Sequence, residues 1–283
     1  MSAHPDPSSL KFTTTSCREK KRRGEKITCL TAYDYAFARL FDECGIDLLL
    51  AGDSLGMVAA GEESTLPVTM EQMELAVRAV RRGARRALVI ADMPFGSYQI
   101  STERALANAV RLVKAGAEAV KLEGGAGRAA LVRRLTAEEI PVVGHIGLTP
   151  QALHRMGGYR VQGQSETAAA GLLRDAHALE EAGAFALVLE GMPREVAARI
   201  TAELAIPTIG IGAGPDCDGQ VLVMHDLLGL TFHAPPKFVR RYADLGAAAR
   251  QAVDAFRQDV EAGAFPGDRE SYHLPATAPA KRG

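Results

Sequence analysis

Short apolar runs alternate with amphipathic stretches along most of the chain. The runs cover residues 27–31, 47–53, 87–92, 119–123, 141–145, 186–190, 207–211 and 220–224. They are rich in Val, Ile and Leu and lack the strict apolar–polar alternation of a half-exposed sheet. That pattern predicts strands buried on both faces, as in a parallel sheet covered by helices. Between the runs, the periodicity predicts helices over 35–44, 70–82, 101–115, 128–136, 165–182 and 193–204, whereas 212–219 is too short for a full helix. A faint repeat links the units. Residues 114–124 read KAGAEAVKLEG and 181–191 read EAGAFALVLEG, each a helix end stopped by glycine and then a strand ending in an acidic residue. Glycine there supplies the left-handed cap that turns the chain back toward the sheet. About eight such strand–helix units predict an α/β fold of the (βα)8 (TIM) barrel type. An open doubly wound sheet is the alternative, but no G-x-G-x-x-G fingerprint follows the first strand.

Composition narrows the classes of function. The 283 residues are 47% hydrophobic and 24% charged, enough apolar content for a real core. The 33 basic and 34 acidic residues give a net charge of -1, so no global field draws the chain to nucleic acid or anionic lipid. Trp is absent and aromatics total 5%, which argues against a base-stacking platform. Cysteines at 17, 29, 44 and 217 form no C-x-x-C pair and read as reduced thiols. Residues 1–16 lack the apolar segment of a signal peptide, and no run approaches a membrane span of roughly 20 residues. A cytoplasmic protein with no nucleic-acid or membrane partner is expected. Residues 1–24, with the basic run 18–23, read as a polar flexible arm. Residues 25–263 read as a single barrel domain, and 264–283 as a flexible tail.

In a (βα)8 barrel the active site lies at the C-terminal ends of the strands. The apolar runs end in Asp53-Ser54, Asp92, Lys121 with Glu123, His145 and Glu190. A single such Asp could serve as a helix cap, but four carboxylates at one end of a barrel must share a cation or raise one another's pKa. Oxygen ligands without a Cys or His pair at metal spacing indicate a hard cation, Mg²⁺ before Zn²⁺. Lys121 could hold a substrate anion, form a Schiff base or neutralise the acids. His145 suits either a structural or an auxiliary catalytic role. The glycines of 209–214 could cradle a phosphate, although no G-x-x-x-x-G-K-[ST] pattern is present. Metal, carboxylates and a lysine together suggest proton removal beside the carbonyl of a small 2-oxo acid.

At these residues the chain closely resembles the ketopantoate (3-methyl-2-oxobutanoate) hydroxymethyltransferase family. The likeness runs from about residue 26 to 245. It is carried by LTAYDY at 30–35, AGDSLGM at 51–57, TLPVTM at 65–70, ADMPFGSY at 91–98, VKLEGG at 120–125, PVVGHIGLTPQ at 141–151, GGYRVQG at 157–163, LVLEGMP at 187–193 and IGIGAGPDCDGQVLV at 209–223. The resemblance implies a TIM barrel of the phosphoenolpyruvate/pyruvate type, with one Mg²⁺ per subunit associated with Asp53, Asp92 and Glu123. It implies that Asp53, Ser54, Asp92 and Lys121 contact the 2-oxo acid and that Glu190 is the proton acceptor. The implied reaction takes 3-methyl-2-oxobutanoate to 2-dehydropantoate with 5,10-methylenetetrahydrofolate as one-carbon donor, the first committed step toward pantothenate. It further implies a homo-oligomer, commonly a decamer, to which an amphipathic helix over 246–264 would contribute contacts.

Two other readings compete. A lyase or mutase of the same superfamily would share the metal site, but such relatives carry a reactive Cys on a loop over it, and no Cys lies between 45 and 216. A binding protein using the basic run 18–23 has no need for four carboxylates around a cation.

Overall fold

In the computed structural model, which describes residues 10–232 and 234–274, the apolar runs form eight strands. They are β1 (Ile27–Thr31), β2 (Leu48–Ala51), β3 (Leu88–Asp92), β4 (Ala119–Glu123), β5 (Val142–Gly147), β6 (Ala186–Glu190), β7 (Thr208–Ile211) and β8 (Gly219–Leu222). Consecutive strands pair in parallel, and β1 also pairs with β8, Ile27 opposite Gly219. The sheet therefore closes on itself, which excludes the doubly wound alternative and gives the (βα)8 barrel. No helix connects β7 to β8 among the described residues, in line with the short spacing. The expected strand 220–224 ends early. Met224 N–H donates to Thr31 Oγ1 (3.0 Å) instead of extending the ladder, and Met224–Leu228 turns into a short helix.

Helices Tyr35–Glu43, Met70–Gly83, Thr102–Ala115, Ala129–Ala137, Glu166–Glu181 and Arg194–Glu203 lie within two residues of their expected limits. Their starts are local chemistry. Asp34, Thr69, Ser101 and Ser165 each accept a hydrogen bond from the backbone N–H three residues on, satisfying a donor that the first turn leaves open. Gly116 ends one of them at φ 118, the left-handed cap anticipated for the repeat.

The core has two layers, one on each face of the sheet. Outward-facing Leu49, Val89, Val120, Leu122, Leu187 and Leu189 pack beneath the helices. Inward-facing Cys29, Leu48, Leu50, Ile90, Val143, Val188 and Val221 fill the barrel. This is why the strands read as continuous apolar runs: neither face meets water.

The expectation of a solvated arm through residue 24 needs correction. Residues 1–9 lie outside the described part, but Thr14–Arg23 is a helix opened by a Thr13–Ser16 capping box and stopped by Gly24 in the left-handed region. Phe12 (6% exposed) and Cys17 (0%) join the inner core, so the segment plugs the N-terminal end of the barrel. The basic run is not a free patch: Lys20 pairs with Asp47 (2.7 Å) and Lys21 with Asp218 (2.8 Å). Phe12→Ala is expected to lower the unfolding free energy by about 3 kcal/mol in urea denaturation, the cost of emptying a buried Phe site. A solvated arm predicts no change.

Of the expected tail 264–283, residues 275–283 lie outside the described part, and 268–270 form a 3₁₀ turn. Among the described residues no helix is long and apolar enough to cross a membrane.

Candidate active site

Side chains two apart on a strand share a face. Ile90 leads inward to Asp92, Ala119 to Lys121 and Glu123, Val143 to His145, and Ala186 through Val188 to Glu190. The inner face is thus apolar through most of the barrel and becomes ionisable only in its last layer. Register then sets neighbours: Asp92 is opposite Lys121, Glu123 opposite His145, and Gly147 opposite Glu190. Asp53 and Ser54 follow β2 after Gly52. All seven sequence-expected residues meet at the C-terminal mouth.

The contacts are dense. Lys121 Nζ lies 2.7 Å from Asp92 Oδ1, and Asp92 Oδ2 accepts from the Asp53 backbone N–H (3.0 Å). His145 stands between two glutamates, Nδ1 3.5 Å from Glu123 Oε1 and Nε2 3.2 Å from Glu190 Oε2. Its Nδ1 is also 3.3 Å from Lys121 Nζ. Ser54 Oγ hydrogen-bonds the Tyr33 hydroxyl at 2.8 Å. Two glycines make room. A Cβ on Gly52 would press on Ser54 Oγ (3.0 Å) and Asp92 Oδ2 (3.4 Å). One on Gly147, at φ 95, would strike the Glu190 carbonyl.

Burial and mutual charge set the protonation pattern. Burial, with Asp92 and Glu123 nearby, raises the Asp53 carboxyl well above the ordinary carboxylate range. Burial opposes the charge on Lys121, but Asp92, Glu123 and Asp53 outweigh it and raise its pKa. Lys121 is therefore held as an ammonium, which suits an anion anchor and not the neutral amine a Schiff base requires. Burial and Lys121 disfavour protonation of His145, yet Glu123 and Glu190 push its pKa up to about 9. An imidazolium there clamps both glutamates. Glu123 is correspondingly lowered: burial works against its charge, and His145 and Lys121 overcome it.

With all four carboxyls ionised, Asp53, Asp92, Glu123 and Glu190 would outnumber Lys121 and His145 by two charges around one mouth, and the raised Asp53 carboxyl reflects that crowding. A divalent cation balances that surplus, and an all-oxygen acidic donor set suits a hard one. No three His, Cys, Asp or Glu side chains among the described residues form a ready-made metal cage.

Other residues at the mouth escaped sequence reasoning although they lie in quoted segments. Gln151 touches both Asp53 and Glu123, and Tyr98 hydrogen-bonds Gln151. Tyr33 holds Ser54. Half-exposed Tyr159 reaches Met57, its phenol 3.7 Å from Sδ, and burial together with Glu190, Asp53 and Glu123 raises its pKa. None is a carboxylate, so charge at strand ends gave no signal for them. Along the glycine run 209–214 there is little room for side chains: a Cβ would meet Cys217 at Gly210, Phe238 at Gly212 and Arg194 at Gly214.

The chain matches the family model described as ketopantoate hydroxymethyltransferase over residues 11–268. It is 60% identical over 271 residues to the 3-methyl-2-oxobutanoate hydroxymethyltransferase of Koribacter versatilis (strain Ellin345), covering 95% of this chain and 92% of that protein. Identity to the enzyme of the same name from Geotalea daltonii (strain DSM 22248 / JCM 15807 / FRC-32) is 57% over 262 residues, covering 92% and 98%. Among solved structures, phosphonopyruvate hydrolase in complex with oxalate and Mg²⁺ aligns with a TM-score of 0.59 at 15% identity, covering 91% of this chain and 92% of that one. A 2,3-dimethylmalate lyase, described as a member of the PEP mutase/isocitrate lyase superfamily, aligns at 0.57 and 17% identity, covering 92% and 91%. These structural likenesses establish the shared barrel. The match over residues 11–268 takes in the helices Thr14–Arg23 and Leu245–Glu261 as well as the motifs of the mouth. The chain belongs to the ketopantoate hydroxymethyltransferase family.

Proposed function

We propose that the site transfers a hydroxymethyl group from 5,10-methylenetetrahydrofolate to 3-methyl-2-oxobutanoate, giving 2-dehydropantoate and tetrahydrofolate, the first committed step toward pantothenate. The observation that carries this reading is the acidic mouth, with Glu190 standing apart from the Asp53–Asp92–Lys121 group and joined to it through His145. Asp53 and Asp92 would hold Mg²⁺, with Glu123 beside them. When bound, the cation supplies positive charge for the oxyanion that develops on the 2-oxo group.

The chain's own residues supply the rest. Asp53, Ser54, Asp92 and Lys121 receive the oxo acid, the Lys121 ammonium providing a buried positive charge for its carboxylate. Tyr33 fixes the Ser54 hydroxyl for that contact. Glu190 removes the proton from C3, and His145 orients Glu190 through the 3.2 Å contact. The C3 electron pair bonds to the methylene carbon of the donor, both carbon–nitrogen bonds to the folate break, and the C3 proton and one proton of water end on the two folate nitrogens. Water supplies the hydroxyl oxygen. Incubation with both substrates should yield 2-dehydropantoate, and turnover confined to C–C cleavage substrates would move the chain to the lyase reading.

The homodecamer implied by the resemblance and the cytoplasmic location belong to the same proposal. The terminal helix Leu245–Glu261 buries none of its residues, and Val253, Phe256 and Val260, spaced along one face, are exposed. Such a stripe supports a subunit contact. Light scattering should report a large homo-oligomer, and Phe256→Glu should shift it toward smaller species. A monomer at working concentration contradicts the assembly.

A further inference from the structure

Gln151 sits in the 3₁₀ turn Pro150–Ala152 that follows β5, and it is buried. It carries no charge, yet it reaches carboxylates from two different strand ends. Its backbone N–H donates to Glu123 Oε2 (2.9 Å), while Nε2 donates to Asp53 Oδ2 (2.8 Å) and to the Met93 carbonyl (2.9 Å). Both hydrogens of the amide nitrogen are thereby used.

Tyr98 decides which way that amide faces. The Glu123 backbone N–H donates to the Tyr98 hydroxyl (3.2 Å), so the single phenol hydrogen is left for an acceptor. Gln151 Oε1, at 2.6 Å, is nearer than the Glu123 carbonyl at 3.4 Å. Turning the amide over would set Oε1 against the Asp53 carboxylate and the Met93 carbonyl, two acceptor–acceptor contacts inside 3 Å. The Arg128 guanidinium stacks over the Tyr98 ring, 5.1 Å from its centroid, and helps hold the phenol in place. A free Asp carboxylate turns about a broad terminal torsion. A charge-assisted hydrogen bond from a locked amide removes that freedom.

We propose that Gln151 is a positioning residue: its amide, locked by Tyr98, holds Asp53 in the one arrangement able to receive the cation and the oxo acid, while its backbone N–H steadies Glu123. This rests on the functional reading of those carboxylates and adds the residue that aligns them. Glutamate cannot replace it, because a third carboxylate would face Asp53 at hydrogen-bond distance.

The test is calorimetric titration with MgCl₂ of the wild-type protein, Gln151→Met, Tyr98→Phe and the double variant, beside metal-free thermal unfolding and the kcat and KM for the oxo acid. Gln151→Met should bind Mg²⁺ about 10–100-fold more weakly, the range for losing an outer partner of a metal ligand. Its KM should rise with that loss, while the folded fraction remains measurable by its unfolding transition. Tyr98→Phe should show a smaller loss. The double variant should lose less than the sum of the two single losses, because Tyr98 acts on Asp53 through Gln151 while also accepting from the Glu123 N–H. If Gln151→Met does not fold, Tyr98→Phe, which keeps the ring and its packing, carries the test. Wild-type Mg²⁺ affinity in the folded variants, or additive losses in the double variant, overturns the proposal. Failure of the wild-type protein itself to bind Mg²⁺ overturns the functional reading, and this inference with it.

Discussion

Glu190→Gln is expected to bind Mg²⁺ and 3-methyl-2-oxobutanoate as the wild-type protein does, yet to lose turnover and exchange of the C3 proton in D₂O together. Glutamine keeps the shape of the side chain and removes the base, and loss of a general base costs about 10²–10⁴-fold. The geometry gives a reason for binding to survive. Glu190 contacts His145 and is not among the groups within hydrogen-bond distance of Asp53 or Asp92. Exchange at the wild-type rate would move the base elsewhere. Normal exchange with lost transfer would instead put Glu190 on the folate side of the reaction.

The second large effect separates two aspartates that the sequence treats alike. Asp53→Asn and Asp92→Ala should each weaken Mg²⁺ by more than about 10²-fold, beyond the range of outer-partner changes, and abolish turnover. Their metal-free stabilities should move in opposite directions. Asp53 is crowded by Asp92 and Glu123, so removing its charge relieves repulsion, and the unfolding midpoint should hold or rise. Asp92 is the close partner of buried Lys121, and its removal strands an ammonium at a cost of about 3–5 kcal/mol. Urea denaturation without metal reads the difference. Wild-type affinity and activity in either variant would remove that residue from the ligand set.

How far the sequence reaches can be seen at single residues. Lys121 and Glu123 stand two apart in AVKLE, so strand period alone places both on one face, and β4 spans that very segment. The strand ends carried the acidic cluster for the same reason. The helix Thr14–Arg23 was illegible because its composition is that of a solvated arm. Only Cys17 within it is buried, and its lysines are matched by Asp47 and Asp218, 27 and 197 residues away. Gln151 was illegible for a related reason. An amide's role is defined by what it touches, and its partners Glu123, Met93 and Asp53 lie 28, 58 and 98 residues back along the chain. Local pattern reports which face a side chain takes, but not which distant groups complete it.

The most direct measurement follows 2-dehydropantoate from 3-methyl-2-oxobutanoate and 5,10-methylenetetrahydrofolate before EDTA, after EDTA, and after Mg²⁺ is returned. Product should form, cease when the metal is removed, and resume when it is restored. Absence of product under all three conditions, or undiminished product in EDTA, would contradict a cation-assisted hydroxymethyl transfer at this barrel mouth.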